Sequence, residues 1–405
     1  MPALTKGKSP FYPGQPVPVE LFVGRQEQIE HILTRGVGQV RAGKPVSMFV
    51  RGEYGIGKSS IAGYVQELAE RDYGLHGIYA TLGSAQSVDD IGAALLKATV
   101  ESGAYHPSRG ERIRNWLAKY IGEQPLFGVN IHLDALKKDG PSIAAGMLPF
   151  LRETVNRLQD IGVCGVFLVL DEINGIAERP EFAYFLKSFV DQNALARQPL
   201  PLLLMLCGVE ERRRQMIRNH QPVERLFDII EIEPMSRDEG ETFFRKAFGS
   251  AGISVEPAAM EAFIHLSGGF PKIMHIIGDW AFWLDQDGRI PYEDALRALV
   301  EAAEEVGRRY VDEQVYGALK SAAYRSVLKK IAPYGLEHDM RFRRRDILSD
   351  LSPGERAKLD NFLQRMKGLG VLRQGEAQGE WVFTQRMVAF YIWTREHADN
   401  ASQRR

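Results

Sequence analysis

Eight consecutive residues, Gly52-Glu53-Tyr54-Gly55-Ile56-Gly57-Lys58-Ser59, constrain this chain more than any other feature. Glycine reaches left-handed backbone angles at no steric cost and lets other groups approach the backbone closely. The run follows a short β-branched and apolar stretch, Val46 to Val50, and precedes a helix-forming stretch from Ser60 to about Glu70. A strand, a glycine-rich loop and a helix in that order turn backbone N–H groups and the positive end of the helix toward an anion. The spacing is GxxxxGK[ST], in which the lysine reaches the β- and γ-phosphates of a nucleotide and the hydroxyl binds magnesium. Gly52, Tyr54, Gly55, Ile56, Gly57, Lys58, Ser59 and Ser60 are thus expected at a bound ATP. Lys58 carries a catalytic role in this reading, and Ser59 is a magnesium ligand.

A second element supports the first. Val166-Phe167-Leu168-Val169-Leu170-Asp171-Glu172 is an apolar run ending in two carboxylates. A strand buried on both faces delivers such residues to the carboxyl edge of an open α/β sheet, where ligands bind. Asp171 is expected to hold magnesium through water. Glu172 suits a base or orienter for the attacking water.

The rest of the chain reads in blocks. Residues 1–20 are rich in Pro and Gly and form an extended arm. From 21 to 235 apolar strands (Val46–Val50, Gly77–Leu82, Val163–Leu170, Pro201–Leu206, Ile229–Ile232) alternate with helices, and Leu126–Leu133 is an extra strand or hairpin arm. This pattern predicts an α/β core with a parallel sheet. Helices without strand signals fill 236–317, opening at Ser236 with a capping box through Glu239. In 318–405 short helices at Arg343–Leu351 and Pro353–Lys367 precede two strands, Val371–Gln374 and Trp381–Phe383, the order of a winged-helix domain.

Charge separates that last block. The formal charge of the whole chain is −1, yet residues 320–405 hold 17 Lys/Arg against 10 Asp/Glu. A basic end on a near-neutral chain points to a polyanion partner, or to a solvated face. If a winged helix forms, Arg343, Arg344, Arg345, Arg356, Lys358, Arg365 and Arg373 are the candidates for double-stranded DNA. Cys164 and Cys207 are the only cysteines. They exclude a disulfide framework and offer no zinc-ligand spacing. No apolar run reaches membrane-spanning length, and no GxSxG element marks a hydrolase nucleophile. The expectation is a cytoplasmic protein that does not enter a membrane.

Taken together, these motifs resemble the AAA+ branch of P-loop ATPases, near the origin-recognition-like and STAND ATPases of prokaryotes. Phe22-Val23-Gly24-Arg25 resembles the family's N-terminal motif flanking the adenine. Asn219 to Phe227 resembles the segment that presents an arginine finger to a neighbouring subunit, which implies a homo-oligomer built through the ATP site. Arg225 is the candidate, with Arg212, Arg213 and Arg214 as competitors. Ser267-Gly268-Gly269-Phe270-Pro271-Lys272 resembles the start of the lid helix, which implies ATP between core and lid. Pro271 stands where typical members place a γ-phosphate-sensing arginine; a proline there is a STAND feature contacting the base, and Lys272 is adjacent. Cys207 stands where the family places a polar γ-phosphate contact. These departures imply a slow, switch-like ATPase. Three functions stay open: a DNA-associated ATPase, a STAND-like signalling switch acting with a protein partner, and a protein-remodelling ATPase.

Overall fold

A computed structural model describes residues 6–15, 18, 21–103, 106–121, 140–308, 311–312 and 321–403. The chain divides into two units: Pro16–Glu233, and Met1–Gln15 together with Pro234–Arg405. The strand expected at Leu126–Leu133 lies outside the described residues.

The first unit is built on five strands: β1 (Val46–Arg51), β2 (Leu75–Thr81), β3 (Gly165–Asp171), β4 (Leu202–Gly208) and β5 (Asp228–Glu231). They pair in parallel in the order β2-β3-β4-β1-β5. Strands β3 and β4 are buried along their whole length. Both sheet faces are covered, so their sequences read as unbroken apolar runs rather than alternating ones. Helix Lys58–Asp72 buries Ile61, Ala62, Val65 and Ala69. Helix Val88–Glu101 starts on a reciprocal capping box between Ser87 and Asp90, and helix Pro180–Ala194 buries Phe182, Phe185 and Phe189. The register sets Val50 beside Cys207, Leu206 beside Leu170, and Asp171 beside Thr81. One row across the carboxyl edge of the sheet therefore carries the ends of four strands.

In the second unit, helix Arg237–Ser250 opens on the capping box expected at Ser236 and Glu239. Helices Pro257–Ser267, Pro271–Leu284 and Tyr292–Val306 follow. Two short strands between them, β6 (Ser254–Val255) and β7 (Arg289–Ile290), pair in parallel. The N-terminal arm belongs to this unit. Phe11 is buried among Phe243, Phe244, Phe248 and His275, its ring edge-on to Phe248 with centroids 4.8 Å apart. Gly278 makes this possible, because a Cβ there would lie 2.2 Å from the Phe11 ring. Tyr12 N–H donates to Nδ1 of His275 at 3.1 Å, and Ser9 Oγ to Asp279 at 2.6 Å.

The C-terminal part corrects one expectation. The helix predicted over Arg343–Leu351 is absent: Arg341–Arg343 is a strand, β8, followed by turns. It pairs antiparallel with β10 (Glu380–Phe383), which also pairs with β9 (Leu372–Gln374). Arginines flank Phe342, which is buried against Phe383. That is a period of two, and only one apolar residue carries it. Asp346 then accepts the Arg343 N–H at 3.0 Å and holds the turn. Helix Ala322–Glu337 precedes this sheet, helix Pro353–Gly368 lies between β8 and β9, and helix Arg386–Gln403 ends the described chain.

Candidate active site

The loop between β1 and helix Lys58–Asp72 has the backbone its glycines allow. Gly55 and Gly57 have φ of 78° and 100°, angles that L side chains resist. At Gly52 a Cβ would come within 2.6 Å of the Ile232 carbonyl oxygen and 2.9 Å of Ile56. Ile56 is buried, whereas Tyr54 is 54% exposed. Lys58 Nζ donates to the carbonyls of Gly52 (3.0 Å) and Glu53 (2.8 Å), which folds the ammonium over its own loop. Burial holds that ammonium below the ordinary lysine value. Ser59 and Ser60 stand in the first turn of the helix, whose N-cap Gly57 supplies no side-chain cap. Its first N–H groups and the lysine thus suit an anion held over the loop.

At the same sheet edge β3 delivers Asp171, only 5% exposed. Its Oδ1 accepts the Glu172 N–H at 2.8 Å, and its Oδ2 accepts the Tyr79 hydroxyl at 2.6 Å. Glu172 is exposed and has φ of 55°. A non-glycine residue in that region costs roughly 1–3 kcal/mol and persists where surroundings over-determine it. Gly83 leaves room for its carboxylate; a Cβ there would lie 2.3 Å from Glu172 Oε2. Cys207, at the end of β4, is fully buried, and burial pushes its thiol well above the ordinary value.

The Phe22–Arg25 segment meets the loop. Arg25 is buried in a left-handed conformation, φ 65°, and its guanidinium reaches the Ile56 carbonyl at 3.4 Å. Gly24 turns the chain with φ 76°. Phe22 stacks on Tyr64 of the loop helix, centroids 4.4 Å apart, and Val23 is half-buried.

The competing arginines differ in their partners. Arg213 and Arg214 both donate to Glu210. Arg213 first, then Arg214 and Arg51, hold that carboxyl down at about 2. Arg212 pairs with Glu178. Arg225 is exposed and makes no ion pair among the described residues. It lines an open cavity of about 540 Å³ with Lys187, Gln221, Pro222, Glu224 and Leu226.

Residues 21–216 match the family model described as an AAA ATPase domain. This segment is an AAA ATPase domain. No curated protein matches the chain by sequence. Solved structures that match nearly its whole length include two with a TM-score of 0.58. One is a Walker-type ATPase of Pyrococcus abyssi, 17% identical, covering 92% of this chain and 96% of that one with a TM-score of 0.58. The other is the ORC2 protein of Aeropyrum pernix, solved as ADPNP–ADP complexes, 14% identical, covering 94% of each chain with a TM-score of 0.58. The likeness to these two structures is one of fold, and the ATPase-type domain is the segment 21–216.

Pro271 lies in the second unit, as the first residue of helix Pro271–Leu284. The seven basic residues expected at DNA are all exposed. Arg344 pairs with Asp360 at 2.8 Å and Arg345 with Asp346 at 3.5 Å. Arg356 Nε donates to the Leu351 carbonyl at 2.8 Å. Arg343 is on β8, Arg373 is on β9, and Lys358 and Arg365 are on helix Pro353–Gly368. Tyr79 is a site residue that the sequence pattern does not reveal. Its only signal is an aromatic residue inside the strand expected over Gly77–Leu82. No helix among the described residues is long and apolar enough to cross a membrane.

Proposed function

We propose that this AAA+ protein is a slow, magnesium-dependent ATPase switch that assembles with further copies of itself and acts on double-stranded DNA. The observation that carries the catalytic half is the convergence at one sheet edge of a glycine-rich loop, the Lys58 ammonium, buried Asp171 and strained Glu172. Lys58 leaves its two carbonyl partners for the β- and γ-phosphates, and the loop N–H groups hold the same oxygens. Ser59 and Asp171 are the residues that would hold magnesium, which neutralises phosphate charge when bound. Glu172 stands beyond Asp171 to orient water. Arg225 acts on the site of a neighbouring copy, because its three competitors already have acidic partners. The buried Cys207 thiol offers a poor hydrogen bond where a γ-phosphate contact would speed turnover, so the reading is of a switch and not a motor.

The DNA half rests on the surplus of basic residues in 320–405. The second reading, a STAND-like switch with a protein partner and no DNA, is favoured by Pro271 and Cys207 in place of γ-phosphate-sensing groups.

ATPase rate and oligomer mass, measured with and without duplex DNA at two salt concentrations, separate the two. A DNA-dependent rise that weakens with salt, as counterion release requires, supports the first. No response to DNA sinks it in favour of the second. In the same assay Lys58→Ala should weaken ATP binding about a hundredfold, a lost charged hydrogen-bonding group. Unchanged affinity overturns the nucleotide assignment.

A further inference from the structure

Tyr79 stands at the proposed metal end of the site, and the proposed ATPase cycle gives it no role. It lies on β2 opposite Val169, so it is the diagonal neighbour of Asp171 on one face of the sheet. At such spacing a long side chain reaches its diagonal partner. The half-buried phenol donates to Asp171 Oδ2 at 2.6 Å and reaches the Ser59 carbonyl at 3.4 Å. It thereby bridges the two residues assigned to magnesium. The Glu172 N–H already occupies Asp171 Oδ1. Both oxygens of the buried carboxylate therefore accept a hydrogen bond from the protein itself.

A carboxylate that holds a hydrated cation through water accepts an O–H from that water. The Tyr79 hydroxyl is the same donor supplied by the chain. A tyrosine hydroxyl keeps its proton at neutral pH, its ordinary pKa being about 10, and so remains a donor.

We propose that Tyr79 is a positioning residue that holds Asp171 Oδ2 in competition with the hydrated magnesium ion and so raises the magnesium concentration needed to bind nucleotide tightly. This rests on the proposed binding of ATP with magnesium. Engagement of the cation replaces the phenol hydrogen bond instead of adding to it, and this restrains the switch at its metal and not at its phosphate.

The test is binding of a fluorescent ATP analogue across a magnesium titration, in the wild type, Tyr79→Phe and Tyr79→Leu. Phe keeps the ring and loses only the hydroxyl. Its magnesium midpoint should fall about tenfold, the weight of one hydrogen bond to a charged group. Metal-free nucleotide affinity should stay at its wild-type value, and metal-free stability should fall by no more than the one lost hydrogen bond. Leu, which also lacks the hydroxyl, should move the midpoint the same way. A merely structural tyrosine would lower stability and metal-free affinity and leave the midpoint in place. An unchanged or raised midpoint in Tyr79→Phe, beside a normal wild-type response, overturns the proposal alone. A wild type that binds nucleotide without any response to magnesium overturns the underlying reading and the proposal with it.

Discussion

The carboxyl edge of the parallel sheet and the basic C-terminal part both carry charged residues, but they hold them differently. At the sheet edge, each group stands where its neighbours leave no other place. Gly52 has no room for a Cβ, Asp171 is buried with both oxygens accepting, and Glu172 is held at φ 55° over Gly83. In the C-terminal part, seven basic side chains are exposed, and Arg344 and Arg345 face single acidic neighbours across exposed pairs. Exposed pairs of that kind contribute about 0–1 kcal/mol and fix nothing. An inward-facing site is specified by exclusion, so the chain alone carries it. An outward-facing charged surface takes its specification from whatever docks on it.

Three variants would sharpen or break this contrast. Glu172→Gln should have the largest effect. Hydrolysis should fall about 10³-fold, within the range for a lost general base, while ATP affinity stays put; turnover near wild type would refute its role. Phe11→Ala comes next. Removing an aromatic ring enclosed by three phenylalanines and His275 should cost about 3 kcal/mol, read as an earlier unfolding transition, with ATP affinity unchanged. A loss under about 1 kcal/mol would mean that burial in the second unit specifies less than burial in the first. The paired change Arg365→Ala with Arg373→Ala should be mildest. It should reduce the salt dependence of DNA binding by about two counterions and the affinity about tenfold, leaving basal ATPase intact. Unaltered salt dependence would remove these residues from the interface.

The same contrast governs how much of the molecule is legible in its sequence. Strands β3 and β4 of the first sheet are visible because a strand buried on both faces is an unbroken apolar run, and Val166–Leu170 and Leu202–Leu206 are such runs. The order β2-β3-β4-β1-β5 is not visible, since pairing between distant segments leaves no local mark. Gly52 to Ser59 is legible because phosphate geometry demands rare residues at fixed spacing. Strand β8 reads as helix in the sequence because its period of two rests on Phe342 alone among arginines. Helix Pro107–Ile121 has no counterpart among the expected elements, although it places Arg109, buried, against the carbonyls of Glu70 at 3.2 Å and Leu75 at 3.0 Å. A buried arginine that serves backbone carbonyls looks in the sequence like any surface arginine. Tyr79 is hidden for the same reason, its partner being 92 positions away.

The anchoring of the arm has a consequence in time. Tyr12 and His275 are 263 positions apart. At about 5–20 residues per second of synthesis, the arm leaves the ribosome roughly 13–50 s before the helix that receives it. Everything from Val46 to Glu231 is made in that interval, so the parallel sheet can close while Phe11 still has nothing to pack against. A hydrophobic segment made before the sheet must stay uncommitted past all of its apolar strands. Its surroundings of Pro13, Gly14 and Pro18, poor material for either helix or strand, keep it from joining the wrong core on the way.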